Sequence, residues 1–240
     1  MTQSFQRYSE KWEEELRQLV KNLKNSRKQT ATAEENYTRL LRVVEKVIAH
    51  LTEYYRVKSI QTHKNVLSVM PLPSSTSIER SLYWMNGWRP TDAGRIIYAE
   101  AIRLENKNDI LHRLYTRANL GNLSPLQFRS IAFTHCEADR TQDRISADLF
   151  TWQAYSLLQI SIKDVSKAVI NMEEGVDFDN KMLERLVDLQ QSADELRVKT
   201  IEGMVEALTP PQAVDFLLIV TQLHLGLHVF GLSHDLHLTN

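Results

Sequence analysis

Apolar side chains recur every three or four positions along most of the chain, which is the spacing of one face of an α-helix. A first series covers residues 5–23 and a second covers residues 37–55, with a polar stretch near Gln29 to Ala33 between them. The apolar positions are Phe5, Tyr8, Trp12, Leu16, Leu19 and Leu23, then Tyr37, Leu40, Leu41, Val44, Val47, Ile48, Leu51 and Tyr55. The pattern predicts two amphipathic helices within residues 1–70.

Residues 74–120 contain several signals that start or stop helices. Pro71 and Pro73 predict that the second helix ends by about Met70. The serine-rich link 74–77 supplies an N-cap for a short helix through Trp84. Asn86-Gly87 then offers a residue that tolerates positive φ, and Pro90 has the backbone angle that opens another helix. A shorter helix is expected around 110–118, before a break at 121.

Residues 124–230 predict the longest helices. Ser124-Pro125 reads as an N-cap followed by a first-turn proline, and no further proline or glycine occurs until about Met172. Such a helix would measure about 70 Å at 1.5 Å per residue, so it is expected to bend or break once before a stop at 175. A seam at Met182, Leu186, Leu189, Ala193 and Leu196 predicts another helix, packed on a neighbour. Thr209-Pro210 caps a last helix from 211 to about 230.

No alternating run bounded by turn residues indicates a strand. The sequence therefore predicts an all-α, antiparallel multi-helix bundle in one domain over residues 1–240, with 231–240 as a flexible tail. The apolar run 213–220, which includes Phe216 and Leu217, is typical of a centrally buried helix.

Composition restricts the functional classes. The 29 Lys plus Arg nearly balance 30 Asp plus Glu, so no global field attracts nucleic acid. Cys136 is the single cysteine, which excludes an internal disulfide and favours a reducing compartment. No apolar leader is recognised, and no stretch is expected to reach the ~20 apolar residues of a membrane span.

The sequence contains no recognisable catalytic motif: no P-loop, GxGxxG turn, GxSxG elbow, HExxH helix or paired CxxC. His135-Cys136-Glu137 is the one local cluster that resembles a nucleophile site. Helix neighbours point about 100° apart, however, so His135 cannot hold the thiol within hydrogen-bond reach. We therefore expect a binding protein rather than an enzyme.

His224 and His228 are the candidate ligand-binding residues. They lie four positions apart on an apolar helix and so share a face, where imidazoles can bind a metal or haem iron. Two side chains on one face cannot reach opposite sides of a haem, so one would ligate and the other lie nearby. Gly226 would let a flat ligand approach the backbone. The alternative is that each histidine is hydrogen-bonded to a polar side chain of an adjacent helix. His234 and His237 are weak candidates in the tail.

Several motifs together resemble the plant Delay of Germination, or seed-dormancy-control, family, whose domain also forms the C-terminal part of TGA-class bZIP transcription factors. The most specific are the segment from Tyr83 to Pro90 and the final Leu-His-Leu-x-x-His. Asn86 departs from the family, which often has a second glycine there. The remaining similarity lies at 5–12, 51–56, 124–127, 193–197 and 208–213.

The resemblance implies a non-enzymatic regulator of abscisic-acid and dormancy signalling, present in nucleus and cytoplasm. Such proteins bind and inhibit clade-A type-2C protein phosphatases and bind haem through the paired histidines that match His224 and His228. The phosphatase contact maps onto Phe5, Tyr8 and Trp12, for which ordinary core packing is the alternative. Direct DNA binding is not expected, because the domain begins within a few residues of Met1, without a preceding basic region. Membrane binding is not expected either, because no stretch is expected to reach the length of a membrane span.

Two other functions stay open. One is a carrier or sensor of haem or a lipid-like molecule, held in a bundle core lined by Phe216, Leu217 and Phe230. The other is a transcriptional co-regulator that acts through bZIP partners.

Overall fold

The computed structural model describes residues 2–27, 32–70, 75–103, 120, 122–159 and 180–238, which form helices and connecting segments without a strand in those ranges. We number the helices α1 (Thr2–Ser26), α2 (Ala33–Lys64), α3 (Ser77–Leu82), α4 (Thr91–Arg103), α5 (Pro125–Gln159), α6 (Asn180–Glu206) and α7 (Pro210–Leu238). A 3-10 turn follows α2 at Val66–Ser68. The predicted all-α class is confirmed.

Consecutive long helices run antiparallel. Trp12 in α1 contacts His50 in α2, and Ser26 at the end of α1 accepts a hydrogen bond from Arg39 nearer the start of α2. In the same way Trp152 near the end of α5 donates to the carbonyl of Met182 at the start of α6. The five seam positions of α6 are all buried, and α6 packs along α5 as the seam predicts.

Helix α7 is central and contacts α1, α2, α3, α4 and α6. Phe216 and Leu217 are fully buried in the main core with residues of α1, α2, α4, α5 and α6. The buried central helix predicted at 213–220 is therefore confirmed. A second, smaller cluster joins Trp84 and Met85 to α5 and α6.

Three of the predicted ends differ in the structure. α2 ends at Lys64 rather than near Met70, because Asn65 has extended backbone angles and a 3-10 turn follows it. α3 ends at Leu82 rather than Trp84. α7 does not end near Phe230 but continues to Leu238, because Gly231 fits closely against Thr76 inside a continuous helix instead of stopping it. The helix predicted around 110–118, the break at 121, the expected bend and end of the long helix near Met172 and the stop at 175 lie outside the described residues.

By length and composition α7 also meets the criterion for a membrane-spanning helix over Pro210–His237, with a mean hydropathy of 1.6 in its most apolar window. The expectation that no stretch reaches this composition is wrong for α7, whose only charged residues in that span are Asp215 and Asp235. One third of this window is buried inside the bundle.

Candidate functional site

The start of α3 is fixed by a reciprocal capping box between Thr76 and Glu79. The Thr76 hydroxyl accepts from the Glu79 backbone N–H at 3.2 Å, while the Thr76 N–H donates to Glu79 Oε2 at 2.8 Å. This arrangement satisfies two backbone donors that the helix leaves unpaired. The predicted N-cap in the 74–77 link is Thr76.

The same buried carboxylate binds one of the two candidate histidines. His228 Nδ1 lies 2.9 Å from Glu79 Oε2, and the Tyr83 hydroxyl donates to Glu79 Oε1 at 3.0 Å. Burial by itself would raise the pKa of Glu79, but the hydrogen bonds from Thr76 and His228 outweigh it and leave that pKa below its ordinary value. Glu79 is therefore a carboxylate that joins α3 to α7. For His228, the alternative of a hydrogen-bonded histidine holds.

His224, one turn earlier on α7, is in a different environment. Its ring packs edge-on against Trp12, with 5.7 Å between centroids, and no hydrogen bond joins it to any described residue. Burial lowers its pKa, since an apolar environment disfavours the imidazolium. Its nitrogens therefore remain available for a ligand, in the neutral form that coordinates iron.

A cavity of about 410 Å³ lies beside His224, between α1, α2, α4, α6 and α7. Its volume falls within the ~300–1,000 Å³ of small-molecule sites. Aromatic rings of Trp12, Tyr54, Tyr55, Tyr83 and Trp88 form much of the wall, which is mostly apolar. His228 instead borders a gap of about 20 Å³ beside Glu79, which is room for about one water molecule.

The predicted lining of a carrier cavity is wrong in its residues. Phe216 and Leu217 are fully buried in the main core, and Phe230 is 65% exposed. None of the three lines the cavity, because the face of α7 that turns toward it carries His224 and Leu227. Gly226 lies on the opposite, exposed side, with open space where a Cβ would be.

The loop between α3 and α4 carries the segment with the most specific resemblance. Met85 and Asn86 have positive φ values of 45° and 54°. The expected left-handed residue is therefore present at Asn86, but Met85 is the second one and Gly87 is not. Gly87 is required for space, since a Cβ there would lie 2.9 Å from Arg197 Cζ.

Arg197 of α6 holds this loop from inside the bundle. Its guanidinium is fully buried and donates to the carbonyls of Trp84, Met85 and Trp88, the last at 2.8 Å. Asp194 pairs with Arg197 at 2.5 Å and with the buried Lys58 of α2 at 3.0 Å. This buried ion network connects α2, α6 and the loop. It fixes the position of Trp88 in the cavity wall.

The three candidate partner-binding residues differ in accessibility. Phe5 and Trp12 are each 5% exposed and pack against Tyr54 of α2, and the Trp12 indole donates to the His50 carbonyl at 3.0 Å. Core packing therefore describes both of them. Tyr8 stacks on Phe5 and is only partly buried, so on this structure it is the one a partner can touch. The contact with a partner itself stays a prediction.

The other candidates are not brought to this site. Cys136 is exposed on α5, and His135 packs edge-on against Tyr98. His234 lies 3.6 Å from Asp235 on the last turns of α7. Over the residues that the structure describes, no group of three or more His, Cys, Asp or Glu side chains is arranged to hold a metal ion.

The sequence reasoning missed Glu79, Tyr83, Arg89 and Arg197. The pattern Thr76-x-x-Glu79 is the signature of a capping box and could have identified Glu79. Arg197 lies more than 100 residues from the carbonyls it binds, and no local signal predicts such a contact.

Known proteins resemble this chain. A family model described as seed dormancy control matches residues 14–99. Protein DOG1-like 2 of Arabidopsis thaliana is 30% identical over 65% of this chain and 63% of its own length, so the match spans a little under two thirds of that relative. Protein RESPONSE TO ABA AND SALT 1 of the same plant is 24% identical over 77% of this chain and 76% of that protein.

Transcription factor TGA5 of Arabidopsis thaliana is 24% identical over 88% of this chain and 58% of the factor. The resemblance inferred from the sequence motifs, including the link to TGA factors, is thereby confirmed.

Proposed function

We propose that this chain, whose residues 14–99 match the seed dormancy control family model, regulates dormancy and abscisic-acid signalling by binding and inhibiting a clade-A type-2C protein phosphatase. The family match supports the regulatory role, together with the similarity to a protein named for its response to abscisic acid and salt. Recognition rather than catalysis is the mode of action that we propose.

The outer face of α1 is the surface we assign to the phosphatase. Arg7, Tyr8 and Lys11 lie there, and the Lys11 side chain is 78% exposed. An aromatic ring flanked by cations is typical of the anchors that supply most of an interface's binding energy. Trp12 and Phe5 support this face from beneath, since they pack α1 onto α2.

The test compares Tyr8, which is partly buried, with the exposed Tyr37. Tyr8→Ala is expected to weaken binding to a purified clade-A phosphatase at least fivefold, from the ~1 kcal/mol or more of an interface anchor. Tyr37→Ala, on α2 and 53% exposed, is the matched control and should bind as wild type. Calorimetric titration gives the affinity, and hydrolysis of a phosphopeptide gives inhibition. Equal affinity of Tyr8→Ala and wild type would remove α1 from the interface, and no binding by wild type would refute the phosphatase proposal.

A second candidate function, sensing of a small molecule, is favoured by the cavity beside His224. For haem, His224 would be the iron ligand, because burial lowers its pKa and so favours the neutral imidazole, and because it has no hydrogen-bond partner among the described residues. His228 does not fit that role, since Glu79 holds its Nδ1 and only a small gap adjoins it. Bound haem would supply gas-binding or redox chemistry, and this chain would hold the macrocycle against the aromatic wall.

Separate histidine variants test the haem proposal. On adding hemin, we expect His228→Ala to give the Soret band of wild type and His224→Ala to give the band of free hemin. The reverse result would refute the assignment to His224. Identical spectra for all three proteins would exclude this histidine pair as a haem site.

Action through bZIP partners is the remaining proposal, supported by the similarity to TGA5. Affinity purification from plant extract that returns bZIP proteins without a phosphatase would favour it over the phosphatase proposal.

A further inference from the structure

The wall of the cavity beside His224 is built by the loop that contains the most specific sequence motif. Trp88 and Arg89 of that loop both line it. The Trp88 carbonyl is held by Arg197, and the Trp88 indole donates to the Tyr55 hydroxyl at 2.9 Å. The buried ion network that positions this loop therefore also fixes one wall of the cavity.

Most polar groups along the wall are already bonded within the protein. Tyr83 donates to Glu79, and the Thr221 hydroxyl donates to the Leu217 carbonyl at 2.7 Å. Asp92 pairs with Arg95 at 3.0 Å. Because these groups already have hydrogen-bond or ion-pair partners, they do not require a polar group of a ligand. The surface between them is aromatic and aliphatic. The body of a molecule that enters is therefore expected to be apolar.

Two polar side chains of the lining, His224 and Arg89, have no hydrogen-bond or ion-pair partner among the described residues. Arg89 is exposed, so it lies where the cavity opens to solvent. The Asp92 carboxylate, which also lines the cavity, is already paired with Arg95, so no acid among the described residues pairs with Arg89 and its positive charge is left over at the opening. An anionic head group is favoured there over a cationic one, and a guanidinium suits the planar geometry of a carboxylate.

We propose that this cavity binds an apolar organic acid, with its hydrocarbon body against Trp12, Tyr54 and Trp88 and its carboxylate at Arg89. His224 contributes one neutral hydrogen bond inside the site. The proposal rests on the ligand-sensing function proposed above and is independent of phosphatase binding. In this arrangement the loop from Tyr83 to Pro90 has a role in binding, because its Trp88 forms part of the aromatic wall and its Arg89 carries the charge that selects the ligand.

The experiment uses decanoic acid and its uncharged counterpart 1-decanol as probes, titrated into the full chain by calorimetry. Wild type is expected to bind decanoate about fivefold more tightly than decanol, which corresponds to the upper range of an exposed ion pair. Octanoate is expected to bind about fifteenfold more weakly than decanoate, from about fourfold per buried CH₂ group.

Variants at the cavity opening test the role of Arg89. Arg89→Gln is expected to abolish the preference for decanoate while leaving decanol binding unchanged, and Arg89→Lys should restore most of it. Arg140→Gln is the control, because Arg140 is 77% exposed, pairs with Glu137 and does not line the cavity. Its preference should equal that of wild type.

Each outcome decides between parts of the argument. Equal binding of acid and alcohol by wild type, or a preference that persists in Arg89→Gln, would overturn the selection of an acid while leaving a ligand cavity in place. Absence of binding by both probes, or affinities independent of chain length, would overturn the apolar ligand as a whole, whereas the hemin titration decides separately on the haem proposal. Neither result bears on the phosphatase, whose binding is measured separately.

Discussion

Replacing Gly87 by alanine tests why this loop needs a glycine. Glycine is commonly required where φ is positive, but in this loop Met85 and Asn86 have the positive angles. The structure gives a steric reason instead. A Cβ at position 87 would lie 2.9 Å from Cζ and 3.0 Å from Nε of Arg197, which is closer than carbon atoms approach without repulsion.

The magnitude follows from what holds Arg197 in place. The guanidinium cannot retreat without loosening bonds to three loop carbonyls and to Asp194. Loss of one hydrogen bond to a charged group is worth ~1.5–3 kcal/mol. Alanine also reduces the conformational entropy of the unfolded chain, and this raises the free energy of unfolding by ~0.4–1 kcal/mol. We expect Gly87→Ala to lower the free energy of unfolding by about 2 kcal/mol.

Urea unfolding followed by circular dichroism at 222 nm measures this change. With a slope of about 3 kcal/mol per molar urea, the midpoint should fall by about 0.7 M. Gly226→Ala is the control, because Gly226 lies in α7 with open space at the Cβ position. It should raise the free energy of unfolding by ~0.5–1 kcal/mol, since alanine is the better helix former.

A second background isolates the contact with Arg197. Leucine at position 197 ends at Cδ and so lacks both the Nε and the Cζ atoms that the new methyl group would strike, while Asp194 keeps its ion pair with Lys58. In an Arg197→Leu chain, Gly87→Ala should therefore lower the free energy of unfolding by less than about 0.5 kcal/mol. A midpoint for Gly87→Ala equal to that of wild type, or an undiminished loss in the Arg197→Leu background, would refute the steric explanation.

Three other predictions concern the polar contacts of the bundle. Thr76→Ala should lower the unfolding free energy by ~1 kcal/mol through loss of the capping box, whereas Thr76→Ser should stay near wild type in the same urea assay. Asp194→Asn should cost ~3–5 kcal/mol because it leaves the buried Lys58 and Arg197 without a carboxylate, and Lys58→Met should cost clearly less; the reverse order would contradict the pairing. The unfolded chain protonates position 224 near pH 6.5 and the folded chain only at lower pH, so stability should fall as pH drops below 6.5, and His224→Gln should reduce that fall in unfolding curves recorded from pH 7 to 5.

Local signals predicted where helices begin better than where they end. α5 and α7 start at Pro125 and Pro210, directly after capping residues, as the sequence indicates. Those starts depend on contacts within one turn, which a sequence displays. The predicted end of α7 near 230 is wrong, because Gly231, a residue type that often ends helices, lies inside the helix. Its absent side chain serves a contact with Thr76, which is distant in sequence.

The candidate site was only partly predictable for the same reason. Periodicity placed His224 and His228 on one helix face, but it could not show that Glu79 holds His228 and that His224 has no such partner. From the sequence alone, the charged residues at 58, 194 and 197 would be assigned to the solvent-exposed faces of their helices. They are buried because each neutralises another across two helices and a loop, and only the assembled bundle shows this.

The double engagement of Glu79 limits what can replace it. Its carboxylate must be long enough to reach back to the Thr76 backbone and must also meet the imidazole of His228. Glutamine has the length, but its amide offers one acceptor oxygen, whereas Glu79 accepts at Oε1 from Tyr83 and at Oε2 from Thr76. Aspartate has the charge but is one methylene too short to close the box. A relative that keeps both Thr76 and His228 should therefore keep glutamate at position 79. A relative with another residue at 79 should also have a substitution at 76 or 228.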